Sequence, residues 1–260
     1  MADSRIRVVV SGACGRMGRE TCKAISEAED TVLVGACDTA FTDANLSELV
    51  AGAPELMVHN DLSALLKDVK PDVLVDFTGP DAVRANIRIA VEHRIPSVIG
   101  TTGVIPDELK SEDLQAREAG IGILVAPNFA IGAVLMMKFA EEAAKYMPSV
   151  EIIELHHDRK LDAPSGTSII TAEKIAGVRG EVAQGQQPPA RGAEHRSVRI
   201  HSVRLPGLVA HQEVIFGGVG QTLTIRHDSL DRTSFMPGVL LAVRKASEIR
   251  GLVYGLDKIL

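Results

Sequence analysis

Residues 8–20 read VVVSGACGRMGRE. An apolar β-run ends at Val10, glycines stand at positions 12, 15 and 18, and helical periodicity begins near Arg16. Glycines placed between a strand and a helix let backbone amides at the helix N-terminus face an anion with no Cβ atoms in the way. The stretch therefore reads as a pyrophosphate cradle built from Gly12, Ala13, Cys14, Gly15, Arg16 and Met17. Its spacing is Gly-x-x-Gly-x-x-Gly, because Cys14 takes the second glycine position of the usual G-x-G-x-x-G and serves as a small apolar filler. A tight turn that binds nothing would use the same glycines. What favours a dinucleotide is the strand before, the helix after, and Asp38 closing the next apolar run, TVLVGACD, where a carboxylate can accept both ribose hydroxyls. Thr39 follows, with no arginine to meet a 2′-phosphate, and Asp38 would repel that phosphate. NADH is the expected cofactor, and Arg16 keeps NADPH open as a second donor.

Working outward, the runs RIRVVV, TVLVGACD, DVLVDF, PSVIG and IGILVA alternate with helical patterns over 16–28, 81–93 and 106–119. Strand and helix in alternation predict a parallel sheet covered on both faces. The loops DFTGP (76–80, with Phe77 and Thr78) and GTTG (100–103, with Gly100, Thr101 and Thr102) follow later strands of that sheet. In an open parallel sheet the ligand crevice lies beyond the carboxyl ends of the strands, so both loops are expected to line the cofactor cleft. Either loop alone would pass for ordinary turn chemistry.

From about Asn128 the pattern changes. A long helix is expected over 131–147, a strand at VEIIELHH (150–157) and a helix from about Ser165, followed by GVRGEVAQGQQPPARGAE (177–194), which has no hydrophobic period and reads as a loop. The runs SVRIHSVRL, LVAHQEVIF and QTLTIRHDS then read as an antiparallel meander, and a final helix is expected over 237–249. The predicted fold is α/β: a Rossmann-type parallel-sheet domain (1–127 with 237–260) and a second α+β domain (128–236) with an open mixed or antiparallel sheet.

ELHHDRKLDAPSGT (154–167) is the second chemical signal. In an extended strand His156 and His157 point to opposite faces and cannot share a metal, and no third ligand recurs at a suitable interval, so no metal site is expected. Ser165 stands in an N-cap context, and Gly166 and Thr167 bring amides to the start of the next helix, where carboxylates bind as readily as phosphates. Lys160 adds a mobile cation and His157 a donor. The segment can be a capped helix beside a solvated loop, or the receptor for a small dianion; a dinucleotide site upstream favours the receptor, because hydride transfer needs a held substrate and a proton source.

Composition narrows the partners. The 260-residue chain is 45% hydrophobic and 24% charged with a net charge of -6, and only 3% of its residues are aromatic; it lacks the basic footprint and stacking platforms of a nucleic-acid binder. No apolar run approaches the roughly 18 residues of a membrane span and the N-terminus lacks a signal-peptide pattern, so no membrane partner is expected. Cys14, Cys22 and Cys37 leave one unpaired in any disulfide scheme, which points to a reducing, cytoplasmic setting.

GACGRMG, DFTGP, GTTG, APNFAIGA, ELHHDRKLDAPSGT, HSVRLPGLVAHQEVIF and RHDSLDRTSFMPG run nearly end to end through the chain. Together they resemble the 4-hydroxy-tetrahydrodipicolinate reductase (dihydrodipicolinate reductase) family of diaminopimelate and lysine biosynthesis. The resemblance implies a small cyclic dicarboxylate substrate. It assigns proton transfer to His156 and Lys160, and the substrate carboxylates to His157 with the amides and hydroxyl of Gly166 and Thr167. Cofactor contacts fall to residues 12–17, Asp38, residues 100–102, and Ala126, Pro127, Asn128 and Phe129. A homotetramer formed through the open sheet and hinge closure between the domains are also implied. On the residues alone, a dehydrogenase for an amino acid or sugar and a silent NADH-binding sensor share the first domain. Competition by pyridine-2,6-dicarboxylate and NADH oxidation with substrate separate these readings.

Overall fold

The computed structural model describes residues 4–41, 43–101, 106–180 and 188–260. The chain divides into two compact units, Met1–Phe129 with Phe235–Leu260, and Ala130–Ser234.

In the first unit β1 (Ile6–Ser11), α1 (Arg16–Glu27), β2 (Thr31–Cys37), α2 (Leu46–Leu49), β3 (Val58–His59), α3 (Leu62–Val69), β4 (Val73–Asp76), α4 (Pro80–Glu92), β5 (Ser97–Ile99), α5 (Lys110–Ala119) and β6 (Gly122–Val125) follow in turn. β4, β5 and β6 are buried along their whole length and β1 from Val8 to Ser11, with mostly apolar residues, as a sheet covered on both faces requires. All pairings are parallel and the strand order is β12-β6-β5-β4-β1-β2-β3, in which β12 (Gly251–Tyr254) comes from the C-terminus. Chain direction across the sheet reverses at β1, which lies between β2 and β4, and ligands of open parallel sheets bind at such a switch point. Val83, Ile87, Ile99, Leu109, Ile123 and Val125 form one core layer; Val9, Leu62, Leu65, Leu66, Leu74 and Ile95 form another.

The C-terminal segment departs from expectation. Its α-helix α8 runs Met236–Lys245, a 3₁₀ turn covers Ala246–Glu248, and the chain then enters β12 beside β6, a seventh strand that the helical pattern did not disclose. Gly251 has φ +73 and lets the chain turn into that strand.

The second unit contains α6 (Ile131–Ala144), β7 (Ser149–His156), α7 (Gly166–Arg179), β8 (Ala193–His195), β9 (Val198–Arg204), β10 (Ala210–Gly218) and β11 (Gln221–Ser229). Its sheet is mixed, in the order β11-β10-β7-β9-β8. The expected meander is corrected here: β10 and β11 do form a hairpin, but β9 pairs parallel to β7, and β7 separates it from β10. The crossover through α7 carries β9 to the far side of β7, and a parallel pair needs such a connection. The expected loop also shortens. Residues 177–179 finish α7, Pro189–Arg191 form a 3₁₀ turn, and Ala193–His195 form the edge strand β8. Residues 181–187 of that segment lie outside the described residues. The helix expected to reach residue 147 stops at Ala144. On β7 and β10, Val150, Ile152, Glu154, Gln212, Val214 and Phe216 are buried on one face, and α6 and α7 pack against the sheet.

Candidate functional site

The glycine loop follows directly from the strand order. Ser11 ends β1 between Cys37 of β2 and Asp76 of β4. The Gly12 amide donates to the Cys37 carbonyl at 2.9 Å, and the Phe77 amide donates to the Ser11 carbonyl at 3.0 Å. Gly12 has φ +73, and a Cβ there would meet the Phe77 carbonyl oxygen at 2.7 Å. A Cβ on Gly18 would lie 2.0 Å from the Gly12 oxygen, so α1 starts as close to the loop as backbone allows. Ala13 and Cys14 are buried beneath the loop, while Gly15 and Arg16 are exposed and Met17 is half-buried. Gly15 is the N-cap of α1 and offers no side-chain cap; the first turn also carries no acid. An uncapped helix start of this kind fits a diphosphate.

Asp38 is held by its own loop. Its Oδ2 accepts the Cys14 amide at 2.9 Å and its Oδ1 accepts the Ala40 amide at 3.0 Å. A carboxylate has about four lone-pair directions, so it can still accept ribose hydroxyls. Arg19 donates to the Cys14 and Leu49 carbonyls, and its guanidinium lies 5.7 Å from the Phe41 ring centroid.

The other strand-end loops meet around Phe77. A Cβ on Gly100 would come within 2.1 Å of the Phe77 ring, and that ring lies 5.7 Å from the ring of Phe129 in the segment after β6. Beneath them is Asp76, which sequence reasoning passed over as a site residue. Its Oδ1 accepts the Thr78 amide at 2.9 Å, the Thr78 hydroxyl at 2.7 Å and the Thr101 hydroxyl at 3.2 Å, and its Oδ2 accepts from Asn86 at 2.7 Å. Burial raises the Asp76 pKa, and the hydrogen bonds from Thr78, Asn86 and Thr101 pull the other way. Thr78 and Thr101, from different loops, are thereby tied to one carboxylate. Ala126 is buried, Pro127 and Asn128 are half-buried, and Thr102 lies outside the described residues.

In the second unit the other candidates lie at the end of β7, in the segment after it and at the start of α7. Glu154 and His156 lie two residues apart on one face of β7, and Nδ1 of His156 is 2.5 Å from Oε2 of Glu154. Arg204 stands opposite His156 on β9 and grips Glu154 with both terminal nitrogens, at 2.9 and 2.8 Å. Its Nη2 also donates to the Asp162 carbonyl at 2.7 Å. The Glu154 side chain is 0% exposed. Burial alone would raise its pKa, but hydrogen bonds from His156, Arg204 and Ser202 outweigh burial and bring the carboxyl down to about 2. Lys160 Nζ donates to both Asp162 oxygens at 2.8 Å; burial raises the pKa of that carboxyl, and the Lys160 hydrogen bonds and charge outweigh it, for a net downward shift.

Ser165 caps α7 as its position suggested. Its side chain accepts the Ser168 amide at 3.3 Å, while Gly166 is exposed at the first helical position. A buried polar chain stands behind this cap: Ser165 Oγ to Ser168 Oγ (2.8 Å), Ser168 Oγ to Gln212 Oε1 (2.8 Å), Gln212 Nε2 to Thr171 Oγ1 (2.8 Å), and Thr171 Oγ1 to the Thr167 carbonyl (2.7 Å). Such a fully paired chain fixes where Gly166 and Thr167 sit. His157 follows the strand and is half-buried. Among the described residues, no group of three or more His, Cys, Asp or Glu side chains is arranged to hold a metal.

Sequence reasoning missed Glu154, Arg204, Gln212 and Asp76. Glu154 alternates with Ile152 and His156 on what becomes the covered face of β7, but its charge suggests the solvent face.

Two family models match, "Dihydrodipicolinate reductase, N-terminus" over residues 6–129 and "Dihydrodipicolinate reductase, C-terminus" over residues 132–260. The chain belongs to the dihydrodipicolinate reductase family. It is 53% identical over 262 residues to the 4-hydroxy-tetrahydrodipicolinate reductase of Listeria innocua, covering 98% of this chain and 100% of the relative. It is 48% identical to that of Bacillus subtilis over 266 residues, with both chains fully covered. Among solved structures, a dipicolinate-bound dihydrodipicolinate reductase from Paenisporosarcina sp. TG-14 superposes with a TM-score of 0.87 at 45% identity, over 98% of this chain and 100% of that one. An amine dehydrogenase from Mycobacterium smegmatis, at 14% identity and a TM-score of 0.70 over 97% of this chain and 95% of its own, shares the fold alone.

Proposed function

We propose that this chain catalyses the NAD(P)H-dependent reduction of 4-hydroxy-tetrahydrodipicolinate to tetrahydrodipicolinate in diaminopimelate and lysine biosynthesis. What supports this most directly is the second unit: a histidine and a lysine held beside a capped helix start, in a chain 53% identical to a reductase of that name.

When bound, the reduced nicotinamide supplies the hydride, and the balance closes as substrate, NAD(P)H and a proton giving tetrahydrodipicolinate, NAD(P)⁺ and water. The chain's own residues bind, orient and move the proton. His157, Ser165, Gly166 and Thr167 hold the two carboxylates, with helix-start amides and charge-assisted hydrogen bonds fixing the ring. His156 and Lys160 carry the proton. Residues 12–17, Asp38, Phe77, Thr78, Gly100, Thr101 and Ala126, Pro127, Asn128 and Phe129 hold the cofactor. NADH is preferred to NADPH, because Asp38 is half-exposed with exposed Thr39 beside it, and an acid there disfavours a 2′-phosphate.

The enzyme works in the cytoplasm as a homotetramer formed through the open face of the second sheet. Two observations support this. Cys14, Cys22 and Cys37 are buried and unbridged. The open face carries half-buried Ile153, Leu155, Val203 and Ile215, of which Ile153 and Ile215 line a depression of about 610 Å³ together with Glu151 and His201.

The test is optical: NADH oxidation on adding freshly generated 4-hydroxy-tetrahydrodipicolinate, repeated with NADPH, with inhibition by pyridine-2,6-dicarboxylate. Turnover with NADH above that with NADPH is expected. NADH binding without turnover would refute the assignment. Light scattering after size exclusion reads the assembly.

A further inference from the structure

Glu154 raises a problem of its own. A carboxylate on the covered face of a sheet loses its hydration, and a pair of buried charges is seldom more stabilising than apolar side chains of the same volume. Its neighbours on β7 toward the core, Ile152 and Val150, are apolar and buried. The carboxylate is nevertheless fully engaged, with Arg204 across both oxygens and His156 Nδ1 on Oε2. The same guanidinium reaches the carbonyl of Asp162, and the side chain of Asp162 holds Lys160. One buried ion pair thus fixes both groups read above as proton carriers.

We propose that Glu154 is a positioning residue for the reduction: clamped by Arg204, it accepts the Nδ1 proton of His156 and so leaves Nε2 as the nitrogen that exchanges the working proton with substrate. This rests on the reading of His156 as a proton carrier. The hydrogen bond made by one ring nitrogen decides which tautomer an imidazole adopts, and an ionised carboxylate offers only acceptors. Arg204 is bound to both oxygens, so the carboxylate cannot swing away without breaking the clamp. The rival account is that Glu154 and Arg204 merely seam β7 to β9, with His156 an incidental neighbour.

Glu154→Gln separates the two. Arg204 has only donors, so the single amide oxygen of the glutamine is drawn to Arg204 and its NH₂ is left facing Nδ1. The ring must then carry its proton on Nε2. In ¹⁵N spectra of the labelled full-length protein, recorded where the ring is neutral, His156 is expected to be protonated on Nδ1 in the wild type and on Nε2 in Glu154→Gln. Turnover is expected to fall about 10–100-fold, with KM for substrate and Kd for NADH within about twofold. Unchanged kcat overturns the proposal. So does a fall in kcat with Nδ1 still protonated, or a wild-type ring with a bare Nδ1, a measurement that holds even if the variant fails to fold. His156→Asn, assayed in parallel, tests the underlying reading: full turnover there refutes His156 as proton carrier, whereas its loss alongside normal Glu154→Gln turnover refutes the positioning role alone.

Discussion

The Asp38 carboxylate accepts the backbone amide of Cys14 at 2.9 Å, which joins the acid at the end of β2 to the glycine loop before α1. On the proposed reading, the residue that meets the ribose also holds the loop proposed for the diphosphate. Asp38→Ala is therefore expected to do two things. The KM for NADH rises about 10–100-fold, because hydrogen bonds to a charged group contribute roughly 1.5–3 kcal/mol. The ratio of NADPH to NADH turnover also rises, because the like charge facing a 2′-phosphate is gone. Initial rates with both cofactors check this; an unchanged ratio would remove Asp38 from cofactor selection.

Gly100 and Phe77 are expected to be coupled. An alanine at 100 would place its Cβ 2.1 Å from the Phe77 ring, which is itself packed against Phe129. Gly100→Ala should cost about 1–3 kcal/mol in urea unfolding, the usual range for overpacking, and raise the KM for NADH. Adding Phe77→Ala makes room for the new methyl. The double variant is then more stable than the sum of the singles predicts, by about 0.5–3 kcal/mol. Strict additivity would mean that the ring does not set the Gly100 loop.

These couplings show where the sequence could be read and where it could not. The Rossmann-type alternation of strand and helix was legible because its signals are local: short apolar runs, a glycine turn, an acid at the next strand end. The N-cap at Ser165 was legible for the same reason. Strand adjacency is not a local property. β9 and β10 follow one another in the chain, yet β7 lies between them in the sheet, and no pattern within either strand says so. β12 has only four residues, and among the described residues it pairs with β6 alone, whose Gly122 lies opposite Gly251. Glu154 presents the same difficulty in a side chain. Its charge suggests the solvent face, and partners such as Arg204, 50 residues later, make the covered face tolerable.

Lys160 donates to both carboxylate oxygens of Asp162, and its side chain is 22% exposed, so the ammonium is held at the surface of its loop. Removing it is expected to leave the first unit's cofactor loops intact. Lys160→Ala should lower kcat about 100-fold or more, within the usual contribution of a general acid, with the Kd for NADH unchanged within about twofold. Stopped-flow turnover and fluorescence titration of NADH check the two halves separately. A variant with full turnover would place the proton source elsewhere.

Acid tolerance depends on Glu154. Its carboxyl titrates near 2 in the folded chain, against an ordinary value of 4.5, because the hydrogen bonds from His156, Arg204 and Ser202 outweigh its burial. A carboxyl with a depressed folded pKa binds fewer protons in the native state than in the unfolded state. It therefore adds stability that is fully present above about pH 4.5 and is lost as the pH falls from there toward 2. Glu154→Gln has no such proton to take up. At pH 7 the variant is expected to unfold at lower urea than the wild type, because Arg204 loses its charged partner in a buried site. As the pH is lowered from 5 to 3 the two midpoints should converge, with the wild type falling faster. Urea midpoints of both proteins across that range, with slopes compared to exclude a change in the unfolded state, test this. Parallel curves would mean that the Glu154 carboxyl titrates alike in both states, and that His156 and Arg204 do not hold it ionised.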